Sequence, residues 1–322
     1  MTKKIILLSA LGILLGLIFF LLYIINRIGT PAGSSTTNQQ FVISEGQSSS
    51  EIATNLSEQG LIKSRLAFLV YIKVKNNYLR TGEYDLNPSL SLKSITDILS
   101  TGQIKTLKVT IPEGWRLEQI AQKLEDTKIS TYEDFIIAAK GQEGYLFPDT
   151  YEFKANVTAE EIVKKMNSNF EIRTVDLKLT PDSLKLASIV EREAKLDEDR
   201  PKIAQVYLNR IKIGMKLEAD PTVQYSKDTN ALKKLSSTAQ KDFEFWEPIY
   251  KSDYLTVDSV FNTYIKTGLP PTPICNPGLK SINGALNPIP NDYYYFVQTS
   301  DGKTYYGRNA AEHEANKRKY LK

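Results

Sequence analysis

From Ile5 to Ile25 the chain runs for 21 residues without a charge, with Ser9 and Tyr23 as its only polar interruptions, between Lys3-Lys4 and Asn26-Arg27. At about 1.5 Å per residue, a helix of that length matches the hydrocarbon core of a bilayer. A cleaved secretory signal has a shorter apolar core followed by small residues. Ala32-Gly33-Ser34 mimics such a site, so cleavage is the alternative to a permanent span. The two lysines ahead of the run predict a cytoplasmic N-terminus (1–4), a transmembrane helix (5–25) and a folded part outside the membrane, with Arg27 weakening the asymmetry. Residues 26–40 are rich in Gly, Ser, Thr, Asn and Gln and read as a flexible linker.

The remaining chain has room for two domains: of 322 residues, 41% are hydrophobic and 24% charged. The net charge of +4 is largely terminal. Without residues 1–28, which hold three bases and no acid, 38 bases face 37 acids. No basic excess points to nucleic acid. A lone cysteine, Cys275, excludes an intrachain disulfide, and a lone histidine, His313, argues against a His/Cys metal site. A Ser-His-Asp triad would have to use His313, which falls in a charged C-terminal stretch that reads as a solvated helix. No cofactor is expected.

An internal repeat begins at Phe41. Phe41-Val-Ile-Ser-Glu-Gly46 precedes Glu51-Ile-Ala53 and Leu56, and Val109-Thr-Ile-Pro-Glu-Gly114 precedes Gln119-Ile-Ala121 and Leu124, at a constant offset of 68 residues. Each copy reads as strand, Glu-Gly turn and helix. Gly82 to Leu86 reads as a further strand, and Ser91 to Leu99 as a helix. Together they predict a small α+β module over 41–125 that resembles the LysM-like modules of cell-wall proteins, serving as glycan binder or as spacer.

Leu184 to Leu196 reads as an amphipathic helix. At about 100° per residue, Leu186, Ile189, Val190, Ala194 and Leu196 share a broad apolar arc, while Ser188 and Arg192 lie opposite. Glu193 falls near the middle of that arc and Glu191 outside it. A carboxylic acid among apolar side chains has its ionised form disfavoured, which is how a general acid stays protonated near neutral pH. The alternative is an ordinary ion pair at the rim.

Around this helix, Glu143-Gly-Tyr-Leu-Phe-Pro-Asp-Thr-Tyr-Glu-Phe153 is dense in aromatics and carries Glu143 and Asp149. It suits a sugar-stacking surface or a wedge between lobes. Pro201 opens a second helix with Asp199 or Arg200 near its cap, and Asp220-Pro221 favours a turn. Gly268 to Gly278 is a loop restricted by prolines and glycines. Tyr293 to Val297, Asp301-Gly302 and Lys303 to Tyr306 read as a hairpin, and Asn309 to Leu321 as the last helix.

Ala187-Ser-Ile-Val-Glu-Arg-Glu193, Glu143-Gly-Tyr-Leu-Phe-Pro-Asp-Thr-Tyr151, Asp220-Pro-Thr-Val223, Asn262-Thr-Tyr264 and Gly268-Leu-Pro-Pro271 resemble, in order, the motifs of the endolytic murein transglycosylase (YceG-like) family. The resemblance covers residues from about 41 onward. It implies an α+β protein: a transmembrane helix, the LysM-like module, and a mixed α/β catalytic domain over 126–322. It also implies a carbon–oxygen lyase, outside the bacterial plasma membrane, that cuts the MurNAc–GlcNAc β-1,4 bond within peptidoglycan strands and leaves a 1,6-anhydro end. The family's catalytic glutamate lands on Glu193, which the helical face selects independently. Glu143, Tyr145, Asp149, Asp220, Asn262 and Tyr264 are the implied substrate-binding residues, and penicillin-binding proteins the implied neighbours. The sequence departs from the family after Asp301-Gly302, where Lys-Thr-Tyr-Tyr stands in place of a His before an aromatic. A hydrolase using Glu193 with Asp220, or a non-catalytic wall-binding scaffold, are the competing readings.

Overall fold

The computed structural model describes residues 2–102, 106–154 and 157–321; the side chains of residues 1–10 and of 237 and 238 lie outside the description. The lysine pair on which the predicted orientation rests is among those side chains. The chain forms two compact units, Met1–Thr106 and Leu107–Lys322.

The first unit opens with helix α1 (Thr2–Gly29). Within it, Leu11–Gly29 is long and apolar enough to cross a membrane. Phe19 and most of its neighbours in that stretch are exposed. Strand β1 (Gln39–Ile43), helices α2 (Ser49–Glu58) and α3 (Arg65–Lys75), strand β2 (Gly82–Leu86) and helix α4 (Leu92–Thr101) follow. β1 and β2 pair antiparallel with Phe41 opposite Tyr84. α2 starts where a capping box allows it: the Ser48 hydroxyl accepts from the Glu51 amide, and the Glu51 carboxylate accepts from the Ser48 amide. Ile52, Ala53 and Leu56 then bury against Phe41, Phe68 and Leu99.

The expected flexible linker is not free of the module. α1 continues to Gly29, and Ile24 and Ile28 belong to the same apolar cluster as Phe68 and Ile72. The Gly33 amide donates to Pro88 O (2.8 Å), the Ser89 amide to Ser35 O (3.1 Å), and the Asn87 side chain to Asn38 (2.8 Å). The polar composition of 26–40 supplies hydrogen-bonding partners as readily as flexibility, and here it supplies partners.

The second unit repeats this element order: β3 (Thr106–Thr110), α5 (Leu117–Asp126), α6 (Tyr132–Ala138), β4 (Thr150–Lys154) and α7 (Ala159–Thr174), with β3 paired to β4. The likeness extends to side chains. Tyr84 and Tyr151 are both buried on the second strand of their copy, and each donates its hydroxyl to the carbonyl four residues earlier, that of Arg80 and of Phe147. The division after Thr106 therefore falls inside the 41–125 stretch expected as one module. The second copy's Ile120, Ala121 and Leu124 bury against Tyr132, Phe135 and Phe153.

The rest of the second unit is α8 (Pro181–Glu193), α9 (Arg200–Lys212), α10 (Asp220–Leu232), the single turns α11 (Ser237–Gln240) and α12 (Asp253–Thr256), α13 (Leu279–Leu286), hairpin β5 (Tyr295–Gln298) and β6 (Thr304–Gly307), and α14 (Ala310–Tyr320). α8 is the central helix, packed by α9, α10 and α13. Asp220-Pro221, expected as a turn, instead occupies the first turn of α10, where proline's missing N–H costs nothing.

Candidate active site

α8 begins at Thr180, whose hydroxyl accepts from the Ser183 amide, with Pro181 in the first turn. It ends at Glu193, three residues short of the expected end, because Ala194 has extended backbone. Leu196 is thereby left 40% exposed instead of joining the apolar arc. Ser188 is fully buried, contrary to its predicted polar side. Its hydroxyl accepts from the Ile274 amide (3.1 Å), and its carbonyl accepts from the Cys275 thiol (3.2 Å). The proline-rich loop covers the side of the helix that the sequence assigns to solvent.

Of the two acids in the triplet, Glu191 is committed to structure. It pairs with Arg200 (3.2 Å) and accepts from the Gly278 amide (2.9 Å). Glu193 is half-buried at the floor of a cleft of about 510 Å³. Burial pushes its carboxyl up to about 7, with the charge of Asp220 adding to the shift and Tyr207 and Arg210 opposing it. Its place in the last turn, where the helix dipole is negative, acts in the same direction. The Tyr207 hydroxyl on α9 donates to Glu193 Oε1 at 2.8 Å.

Asp220 and Tyr264 line the same cleft, and the Tyr264 hydroxyl donates to Asp220 Oδ1 at 2.6 Å. The Tyr264 ring stacks on Tyr254 at 4.1 Å with 2° between planes. The two motifs are joined below the surface. The Thr222 and Thr263 hydroxyls share a hydrogen bond (2.8 Å), and the Ala219 amide donates to Thr263 Oγ1 (3.0 Å). Glu218 holds a left-handed backbone (φ 49°) and its carboxylate meets Arg210 at 3.3 Å.

The other four predicted binding residues do not line the cleft. Asn262 is fully buried. It donates to the carbonyls of Tyr254 (3.1 Å) and Val257 (2.8 Å) and accepts from the Tyr264 amide (3.0 Å), so it holds the two stacked rings in place. Glu143 is 7% exposed and accepts from Asn276 (3.0 Å) and from the Leu117 amide (3.3 Å). Burial, with the charge of Glu118, pushes its carboxyl well above the usual range. Tyr145 packs edge-on to Phe170 (5.4 Å). Asp149 pairs with Arg173 (2.9 Å) and accepts from Asn169 (3.1 Å) on a different face.

Several cleft residues escaped the sequence reading. His313 is half-buried rather than solvated: α14 lies against the hairpin, and the imidazole stacks on Tyr295 at 5.2 Å. Burial, then the charge of Lys317, keeps its imidazole below the ordinary pKa. Its Nδ1 and the side-chain nitrogen of Gln298, both at this cleft, have no hydrogen-bond partner among the described residues. The departure at Lys303-Thr-Tyr-Tyr has a structural account. Thr304 and Tyr306 donate their hydroxyls to buried Asp199 (2.6 and 2.8 Å), which ties the hairpin to the start of α9 and diverts Asp199 from capping that helix. A period-based reading finds a residue on one helix face, and Gln298 and His313 reach the cleft only through tertiary packing.

The family model of the YceG-like family matches residues 41–319. The endolytic murein transglycosylase of Bacillus subtilis is 35% identical over 325 residues, spanning 89% of this chain and 86% of that protein. The same-named protein of Streptococcus pneumoniae strain R6 is 31% identical over 85% of this chain, which spans only 57% of it. A crystal structure of a yceG-like protein from Listeria monocytogenes superposes with a TM-score of 0.55 at 30% identity, over 87% of this chain and 99% of that one. With the match running from β1 to α14 and taking in Glu193 and the whole cleft around it, the chain belongs to the YceG-like family.

Proposed function

We propose that this chain is a membrane-anchored endolytic transglycosylase that cleaves the MurNAc–GlcNAc β-1,4 bond within peptidoglycan strands, with Glu193 as acid and then base. The observation that carries the reading is a single acid with a raised pKa, at the end of a buried helix and open to a cleft with aromatic walls. The names of the relatives supply the substrate class. Protonated Glu193 gives its proton to the glycosidic oxygen as the C1–O bond breaks. The muramoyl 6-hydroxyl then bonds to C1, and the Glu193 carboxylate takes the hydroxyl proton, so no water enters the product. Asp220 places a negative charge beside the developing oxocarbenium ion, and the Tyr254–Tyr264 pair offers a face for a sugar ring. Strands newly made beside penicillin-binding proteins are the proposed substrate, and shorter nascent strands the consequence.

Asp220 in the same cleft keeps a hydrolase with two carboxylates as the rival. Products from uncrosslinked strands decide between them by mass. Anhydro ends are expected, about 18 Da lighter than the reducing ends a two-carboxylate hydrolase leaves. Reducing ends from the wild type would transfer the assignment to the hydrolase, and intact strands would remove the enzyme reading.

Tyr207 sets the working pH of the acid. Its hydroxyl stabilises the ionised carboxylate, and a hydrogen bond to a charged group is worth about 1.5–3 kcal/mol. Tyr207→Phe keeps the edge-on contact with Phe296 (5.9 Å) and removes only that bond. The alkaline limb of the pH–rate profile is then expected to move upward by about one unit. A limb that stays in place, or moves down, would contradict the role given to Tyr207.

A further inference from the structure

We propose that α3 is an interfacial helix that lies on the bilayer beside α1, with its bases on anionic phospholipid headgroups; this rests on α1 being the membrane anchor. From Gln59 to Gly82 the chain carries five bases, Lys63, Arg65, Lys73, Lys75 and Arg80, and no acid. All five are exposed. α3 buries Ala67, Phe68, Tyr71 and Ile72 in the module. Its outward side, where a soluble module would be polar, instead carries Leu66, 50% exposed, and Val74, 76% exposed, with Tyr78 just beyond at 80%. Bases mixed with apolar residues on an outward helix face fit a lipid surface.

The position of α3 supplies the occupant. α1 runs against α3 and α4, and Ile24, 4% exposed, is buried in their apolar cluster. Ile24 stands next to Ile25, the last residue of the uncharged run, with Asn26 and Arg27 following. The module therefore holds α1 where the span leaves the hydrocarbon, the level at which an interfacial helix lies. Because residues 33, 35 and 38 are bonded back to residues 87–89, the module cannot swing away on a tether.

The test uses the full chain in vesicles containing an anionic phospholipid. An environment-sensitive fluorophore is placed in turn at Leu66→Cys and Val74→Cys, with Glu58→Cys and Val42→Cys, exposed elsewhere on the same unit, as controls; native Cys275 is buried. Labels at 66 and 74 are expected to shift to the blue and to lose most of their emission to headgroup-level spin-labelled lipid, while the controls keep theirs. Equal quenching at all four positions overturns the proposal, as does a label at 66 or 74 that is shielded from aqueous iodide yet untouched by lipid quencher, which would mean a protein contact. In the triple variant Lys63→Glu/Arg65→Glu/Lys73→Glu, the label at 74 is expected to lose its lipid quenching; retained quenching overturns the headgroup recognition. Flotation with the vesicles after a high-salt wash reports α1 insertion separately, so failure of the anchor is distinguished from failure of the interfacial helix.

Discussion

Glu193→Gln is expected to abolish strand cleavage and, at the same time, to stabilise the second unit at alkaline pH. The loss follows from removing the acid with a raised pKa at the cleft floor, and general acid–base catalysis contributes about 10²–10⁴-fold. The gain follows from linkage. In the folded protein Glu193 is held at about 7, above the value it has once unfolded and solvated. Below the unfolded value both states are protonated and the group has no effect on stability. As pH rises from there through 7, the unfolded state ionises first, and stability falls. Glutamine keeps the oxygen that Tyr207 donates to and never ionises. At pH 8 the variant should therefore exceed the wild type by about 2 kcal/mol, somewhat less than the full shift at about 1.4 kcal/mol per unit because Glu193 is partly open to water. Both tryptophans, Trp115 and Trp246, lie in the second unit, so their fluorescence in a denaturant titration at pH 5 and pH 8 reads this unit alone. A variant that is inactive but no more stable at pH 8 would show that Glu193 is not held as an unfavourable charge. An active variant would place the acid elsewhere.

Why Glu193 was legible and much of its surroundings was not has a physical basis. A period of 3.6 residues reports what a helix does with its own faces, and an acid among Leu186, Ile189 and Val190 breaks that pattern visibly. The pattern says nothing about a second layer. Ser188 reads as solvent-facing because the helix period cannot reveal that Ile274 and Cys275 cover it. The 68-residue repeat was visible because each copy must bury the same Ile-Ala-Leu face. Which partner each copy buries against is a tertiary choice, and so the division fell at Thr106 rather than at 125. A motif shared with a family does not say whether each of its residues meets substrate or packing. Asp220 and Tyr264 line the cleft, whereas Asn262, in the same motif as Tyr264, and Glu143, in a motif that does not reach the cleft, are buried and bonded to other parts of the chain. The charge of the last helix predicts a solvated His313, whereas packing turns its imidazole side against Tyr295.

Asn276→Ala is expected to cause the largest loss of stability of any single substitution considered for the second unit. The side chain is 1% exposed and uses all four of its hydrogen-bonding positions. Its nitrogen donates to Trp115 O and to Glu143 Oε1, both at 3.0 Å, and its oxygen accepts from the amides of Gly144 (2.9 Å) and Leu146 (3.0 Å). One residue thus joins the proline-rich loop, the Glu-Gly turn of the second repeat copy and the aromatic segment from Glu143 onward. Alanine would leave the amides of Gly144 and Leu146 and one carboxyl oxygen of Glu143 without that partner, while the Trp115 carbonyl keeps its bond from the backbone amide of residue 276 (2.8 Å), and each buried group left unpaired costs about 1–3 kcal/mol. The chain has little freedom to repair the gap. Gly144 has φ 91°, and a Cβ built there would stand 2.5 Å from Pro273, so these loops already approach as closely as glycine permits. A loss of about 4 kcal/mol is expected, at the upper end of what single substitutions do. Asn276→Asp separates hydrogen bonding from volume. Its carboxylate still accepts from the two amides but can no longer donate to Trp115 O, and it meets Glu143 as a second negative charge once pH rises through the raised pKa of that buried acid, so its deficit should shrink as pH falls and protonation returns a donor. Tryptophan-monitored denaturation of both variants measures this. A deficit below about 1 kcal/mol for Asn276→Ala, or one for Asn276→Asp that ignores pH, would mean that the three segments are held by packing and not by this side chain.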